Sequence, residues 1–348
     1  MASTRPLAIL GATGYTGRLV VERARELGLP LRLVGRRRNA LEAIAVAGDE
    51  IRIADARDEG ALREAFDGAF AVASLAGPFV ATGDLPVAAA IDRRAHYLDT
   101  SGEQAFAKLV YERYSGRAEA NDVVVLTSFG FDYVPGDLAA RLAAEGLEPL
   151  DEVIAAYSVS RIAAAAGTRT TIGHVMAQPQ VAWEGGRLIE SRFGASTRTV
   201  KFPFGERTVV EWSGTEPLTV PRHTQAQRVR SYVRAPKAAA KTAPIARLAA
   251  PLIRMTGRVG GGPSVGRRVR TSFAVVAESR GPKGGRRVTL TGRDVYDLTA
   301  RLIANGAAAL RGGEARGAGT LAPAEAFDAR GLLDRLAPLI RLEAEETL

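Results

Sequence analysis

Six short apolar runs, with stretches of helical spacing between them, fill the first 140 residues, and this alternation limits the fold more than any other feature. The runs fall at 7–10, 31–34, 51–53, 70–75, 96–98 and 123–127, with helical segments at 15–27, 39–46, 58–66, 84–94 and 103–119. Strands alternating with helices imply right-handed crossovers and a doubly wound parallel sheet. Asn39 is the expected N-cap of the second helix and Gly28 the stop of the first. Ligands of such sheets bind at the carboxyl ends of the strands, so those ends are where chemistry is sought.

The first end reads ILGATGYTGRLV, residues 9–20. Gly11 ends the strand where the chain must turn tightly. Gly14 lets the backbone approach a pyrophosphate, and Gly17 lets the new helix pack against the sheet. The amides opening that helix, at the positive end of its dipole, then face the phosphates. The spacing is GxxGxxG, a variant of GxGxxG, with the required strand before it and helix after it. Gly11, Thr13, Gly14, Tyr15, Thr16 and Gly17 are therefore expected around a dinucleotide.

The second end reads LRLVGRRRN. NAD-binding domains usually place a carboxylate here to accept from the ribose 2′-hydroxyl. This chain offers Gly35, Arg36, Arg37 and Arg38. Guanidinium groups bind a 2′-phosphate through charge-assisted bonds, and one can stack on adenine. Cations at a helix N-terminus oppose its dipole unless an anion is close. The expected cofactor is NADP(H). Asp55 follows the third strand at the adenine edge. SLAGPF (74–79) supplies Ala76, Gly77 and Pro78 after the fourth, and HYLDTSGE (96–103) supplies Ser101 and Gly102 after the fifth.

Composition removes several chemistries. The chain has no cysteine, which excludes disulfides, thiolate metal sites and a Cys nucleophile. Its three histidines, His96, His174 and His223, are too scattered to suggest a metal cluster, so no metal is expected. No apolar run reaches the roughly 18 residues that span a bilayer, and the N-terminus leads directly into a strand. A soluble, cytoplasmic protein is expected. Residues 222–301 carry eighteen basic and three acidic side chains, within a chain whose net charge is +9. Such asymmetry suits an acidic partner, although a basic, GC-rich composition gives the same pattern. No nucleic-acid-binding motif accompanies it.

The segments GATGYTG, LAGPF, HYLDTSGE and SFGFDYVPGDL resemble the saccharopine dehydrogenase-like oxidoreductases. The resemblance is closest to the bacterial branch containing trans-acting enoyl reductases of lipid assembly. GPSVGRRVRTSFAVVAES (262–279), RRVTLTGRDVYDLTA (286–300) and GTLAPAEAFDARGLLDRL (319–336) extend it to the C-terminus. It implies an α/β protein: a Rossmann doubly wound parallel sheet, a second α+β domain on a mostly antiparallel sheet, and NADP(H). The expected domains are an NADP-binding domain at 1–140, a substrate and dimerisation domain at 141–315, and a segment at 316–348 packing back toward the first.

Strand character at 152–160, 198–204, 206–214, 269–279 and 286–292 fits the second domain, with RGPKGG (280–285) as a hairpin turn. Helices are expected at 167–178, 294–310 and 324–342. Residues 236–259 read as an amphipathic helix kinked or split by Pro251, suited to the core of the second domain, to an interface with acyl chains or with the membrane periphery, to a lid, or to a partner-docking surface.

Hydride transfer needs a proton donor beside the cofactor. Tyr133 is the first candidate, then Asp132 and His96, with Tyr97 and His174 behind them. An aromatic wedge is an equally good reading of Tyr133, a helix cap of Asp132, and a structural histidine of His96. Three functions stay open. They are an enoyl (C=C) reductase on an acyl thioester in polyketide or lipid biosynthesis, docking an acyl carrier protein; a C=N reductase or dehydrogenase on a small molecule; and a non-enzymatic NADP(H)-sensing regulator. A homodimer fits each.

Overall fold

The computed structural model describes residues 5–160, 179–235 and 262–348. Its first strands are β1 (Leu7–Leu10), β2 (Leu31–Gly35), β3 (Glu50–Ile53), β4 (Ala71–Ser74), β5 (His96–Asp99) and β6 (Val124–Leu126). They are followed by β7 (Leu150–Val159), β8 (Gln180–Glu184), β9 (Arg187–Ser191), β10 (Thr197–Phe202), β11 (Gly205–Glu211) and β12 (Ala226–Arg234). β13 (Ser272–Gly281), β14 (Gly284–Arg293), β15 (Gly319–Thr320) and β16 (Ile340–Thr347) complete the set. The described chain divides into two units. One holds residues up to 101, 106–130 and 296–321; the other holds 102–105, 131–295 and 322–348.

The first unit is built on a parallel sheet ordered β15-β6-β5-β4-β1-β2-β3. β1 reads LAIL and is buried at every position, as expected of a central strand covered on both faces. The first helix, α1 (Tyr15–Glu26), buries Gly17, Leu19, Val20, Val21 and Ala24, and Gly28 follows it at φ +65° as the expected stop. Asn39 is not the N-cap of the next helix. Arg37 takes that position and the helix spans Arg38–Glu42, because β2 runs on through Gly35 and pairs there with Ile53.

The seventh strand and one long helix come from far along the sequence. β15 pairs with β6, and the helix Val295–Arg311 belongs to the first unit, not to the second domain where sequence order placed it. Its small residues explain the fit. A Cβ on Gly306 would stand 2.7 Å from the Phe129 ring, and Leu98 also touches that position.

The second unit carries a mixed sheet ordered β10-β11-β12-β7-β13-β14-β16, with β8 and β9 branching from β12. Among the described residues, only the β7–β12 pair of this sheet is parallel. The RGPKGG turn forms as expected, with Gly281 opposite Gly284 at the end of the β13–β14 hairpin. The tail differs from its expectation. The helical segment 324–342 is two short helices, Pro323–Ala326 and Ala329–Leu336, followed by β16. β16 pairs with β14, so residues 322–348 join the second unit and not the first. Pro338 ends the helical spacing, and the alternation of Ile340, Leu342 and Ala344 with Arg341, Glu343 and Glu345 is that of a half-buried strand. Asp137 anchors this tail by accepting from Ala324 N at 2.8 Å, while it also accepts from His223 Nε2 at 2.9 Å.

The expected helix at 167–178, His174, and the amphipathic stretch at 236–259 lie outside the described residues.

Candidate functional site

In the first unit the carboxyl ends of β1, β2 and β4 meet at the glycine motif. Gly11 N donates to Val34 O at 3.0 Å, and Leu75 N to Leu10 O at 2.9 Å. Gly11 has φ +84°, and a Cβ there would meet Leu75 carbonyl atoms at 3.1 Å. Gly17 is more constrained: a Cβ would lie 2.2 Å from Gly11 O and 2.9 Å from Ala12 O. The motif is thus folded so closely on itself that no side chain fits at its base, while Gly14 lies exposed at its mouth.

Gly14 is the N-cap of α1 and supplies no side-chain cap, and no acidic residue occupies the first turn. Helix geometry leaves the first-turn amides without intrahelical acceptors. With the positive end of the helix dipole, they form a cradle for an anion. Arg18 Nε donates to Thr13 O at 3.2 Å and closes the loop on one side. Tyr15 packs edge-on against Tyr296, with ring centroids 5.1 Å apart, and Arg23 pairs with Asp297 at 2.6 Å. The helix Val295–Arg311 therefore buttresses the motif from within the same unit. Sequence spacing gave no sign of this, because 280 residues separate the two tyrosines.

Beyond β2, Gly35 is buried and Arg36, Arg37 and Arg38 are exposed. The Arg36 side chain is 75% exposed and its guanidinium stands 3.6 Å from Asp55 Oδ2, at the end of β3. Asp55 also accepts from Arg57 N at 3.0 Å. Beyond β4, Thr82 Oγ1 donates to Ala76 O and Pro78 O, both at 2.9 Å, and ties down the Ala76–Pro78 loop. The Gly77–Pro78 peptide is cis.

Beyond β5 stands a residue that sequence reasoning passed over. Asp99 is fully buried and accepts from Ser101 N at 2.8 Å, Ser128 N at 2.8 Å and Thr127 Oγ1 at 3.0 Å. Burial pushes its carboxyl up to about 6, against the pull of those donors. Asp99 thereby clasps the ends of β5 and β6 and fixes Ser101 at the sheet edge. The signal was a carboxylate directly followed by Thr-Ser at a strand end.

His96 lies at the opposite end of β5 from this edge, about 10 Å away at the usual rise per residue. Its Nδ1 accepts from Val124 N at 3.0 Å, and burial, then the Arg5 charge, lowers its pKa. It is a neutral structural histidine; its place in the catalytic set is corrected.

Gly102, Asp132 and Tyr133 belong to the second unit. Tyr133 is buried, with its hydroxyl donating to Gly102 O at 2.7 Å and Ser213 O at 3.2 Å. Burial, with the charges of Asp132 and Glu216, holds the phenol well above its usual pKa. Its proton is committed to carbonyls and its ring packs at a tilt against Trp212, with centroids 5.8 Å apart, so the wedge reading is the one its contacts support. Asp132 does not cap the following helix, whose N-cap is Tyr133 with no side-chain bond. Asp132 meets solvent, yet the protein gathered around it raises its carboxyl to about 6.

Behind Tyr133 lies a second carboxylate missed in the sequence. Glu216 is fully buried, accepting from Tyr157 Oη and from Ser231 Oγ, both at 2.5 Å. Tyr157 Oη in turn accepts from Gly136 N at 3.0 Å. Burial raises Glu216 from 4.5 to about 7. A folded pKa above the unfolded one means that ionisation opposes folding. The stability is fully present below about pH 4.5 and is lost as pH rises through 7, by about 3 kcal/mol for such a shift. Glu216→Gln is expected to remove most of this dependence, as measured by urea melts of both proteins at pH 5 and pH 8.

Comparisons with known proteins agree with this anatomy. An NAD(P)H-binding family matches residues 11–169. A lipid droplet localized protein of Caenorhabditis elegans is 30% identical over 149 residues, which is 39% of this chain and 35% of that protein. A probable mitochondrial saccharopine dehydrogenase-like oxidoreductase of Arabidopsis thaliana is 32% identical over 149 residues, 38% of this chain and 33% of that protein. The chain spans about a third of the length of these curated relatives. Apo saccharopine dehydrogenase (L-Glu forming) from Saccharomyces cerevisiae superposes with a TM-score of 0.66, at 11% identity, over 99% of this chain and 100% of that one. Over part of its length the chain is thus similar in sequence to an NAD(P)H-binding family and to saccharopine dehydrogenase-like oxidoreductases, and it shares the fold of saccharopine dehydrogenase.

Proposed function

We propose that the protein is an NADPH-dependent reductase that reduces the C=C bond of an acyl thioester in polyketide or lipid biosynthesis. The single observation that carries the cofactor choice is the carboxyl end of β2. Three arginines stand there where an NAD-binding domain places its acidic residue, and Arg36 extends into solvent beside Asp55. The cradle at Gly11–Gly17 suits the pyrophosphate, because a Cβ at Gly17 would collide with backbone and the helix carries no anion of its own. Arg36 and Arg37 would hold the 2′-phosphate, and the tied-down Ala76–Pro78 loop and Ser101 the nicotinamide half. Bound NADPH supplies the hydride.

The chain's own contribution to chemistry is a proton. Asp132 follows the end of β6 by six residues, reaches solvent, and is half protonated near pH 6. It is the candidate general acid whose proton is neither spent on a carbonyl, as that of Tyr133 is, nor placed at the far end of a strand, as His96 is. An acidic acyl carrier protein is the partner that the basic stretch 222–301 suits.

Reduction of C=N is the second reading, supported by the fold shared with saccharopine dehydrogenase. Turnover of NADPH with crotonyl and longer enoyl thioesters, but not with imines formed from amines and keto acids, supports the first reading. The reverse pattern supports the second, and turnover of neither indicates the NADP(H) sensor. Arg36→Glu is expected to raise the Kd for NADPH at least ten-fold and leave that for NADH unchanged or lower, by fluorescence titration. An unchanged NADPH affinity removes Arg36 as the phosphate ligand.

A further inference from the structure

The second unit has a pocket of about 640 Å³ at the end of its sheet where β7 and β14 finish and β13 begins. That volume lies within the range of small-molecule sites, about 300–1,000 Å³. Its body is apolar. Phe273 enters it from β13 and packs over Gly292 of β14, where a Cβ would stand 2.3 Å from the Phe273 ring and 2.3 Å from Leu339 O. Phe204 forms another wall. It is 44% exposed, stacked on Phe202 at 5.4 Å, and flanked by the guanidinium groups of Arg207 at 5.1 Å and Arg234 at 5.6 Å.

The rim is cationic. Arg234, Arg293 and Arg341 line the pocket, and no carboxylate is among its described lining residues. Arg341 is partly occupied, since its Nε donates to Glu343 at 3.0 Å and lies 3.4 Å from Thr291 Oγ1. Ser160 and Ser272 add a pair of hydroxyls 2.7 Å apart. A single exposed aromatic needs no partner by itself, but this one stands at the mouth of a pocket with a cationic rim. Clustered guanidinium groups beside it repel one another unless an anion joins them.

We propose that this pocket binds an amphipathic anion: an apolar chain lying against Phe204 and Phe273, and a carboxylate or phosphate head held by Arg234 and Arg293. The proposal rests on the second unit alone and does not depend on the reductase reading.

Calorimetric titration of the full-length protein with decanoate, decyl phosphate and the uncharged decanol tests it, with an NADPH titration of the same preparation as a separate readout of the first unit. Decanoate or decyl phosphate is expected to bind at least ten-fold tighter than decanol, and the tighter of the two identifies the head group. Arg234→Gln with Arg293→Gln is expected to erase that difference. Phe204→Ala, a change on an exposed side chain, is expected to weaken both anions and decanol about five-fold or more. Equal binding of decanol and the anions overturns the proposal, as does anion binding that survives both arginine changes or the absence of binding by all three probes. A protein that binds NADPH but none of the probes refutes this pocket alone; one that binds the probes but not NADPH refutes the cofactor assignment alone.

Discussion

Gly17→Ala is expected to weaken NADPH binding at least 100-fold, as measured by quenching of protein fluorescence or by calorimetry. The added methyl would stand 2.2 Å from Gly11 O and 2.9 Å from Ala12 O, and both neighbours are backbone. No rotamer change relieves such a clash. Either α1 moves away from β1, or the Gly11–Gly14 turn opens, and both displace the amides that face the phosphates. Overpacking at a buried position should also lower stability by about 2 kcal/mol. Far-UV circular dichroism and a urea melt separate the two effects, because a folded variant that still binds NADPH with native affinity would refute the cradle.

Asp132→Asn is expected to lower kcat for reduction about 100-fold or more, the usual range for loss of a general acid. The wild-type rate should fall as pH rises through about 6, because the acid must carry its proton and its carboxyl is raised to about 6. In the variant that limb of the pH profile should vanish while the Kd for NADPH is unchanged. Tyr133→Phe is the control. Its hydroxyl bonds Gly102 O and Ser213 O, so its loss should reduce stability by about 1–3 kcal/mol through unpaired buried carbonyls, with kcat changed only a few-fold. A result in which Tyr133→Phe abolishes turnover and Asp132→Asn spares it would exchange the two roles.

The glycine turn after β1 and the cationic end of β2 are legible because their determinants are local. GATGYTG and GRRRN each state, within a few residues, where the chain must bend, where a Cβ cannot fit and where positive charge gathers. The strand periods at 7–10, 31–34 and 96–98 needed only neighbouring residues to be read. The errors have the opposite character. The 3.6-residue spacing of 324–336, extended past Pro338, predicts helix where β16 forms. His96 was placed in the catalytic set because a motif gives residues in order without saying which end of a strand faces the ligand. Asp99 has only the faint local signal of the Thr-Ser that follows it, and Glu216 has none, because most of their donors come from other elements: Ser128 and Thr127 for one, Tyr157 and Ser231 for the other.

The sequence by itself determined the parallel nucleotide-binding sheet, the glycine cradle and the cationic end of β2, since each follows from short-range sterics, periodicity and charge. Tertiary structure alone decided that the helix Val295–Arg311 braces the cradle through Tyr296 and Asp297, that Tyr133 spends its proton on backbone carbonyls, and that Gly292 opens space for Phe273 beside three arginines. Those facts depend on which buried surfaces find each other at separations from about twenty residues to most of the chain, and such packing is set by shape and burial that no local pattern encodes.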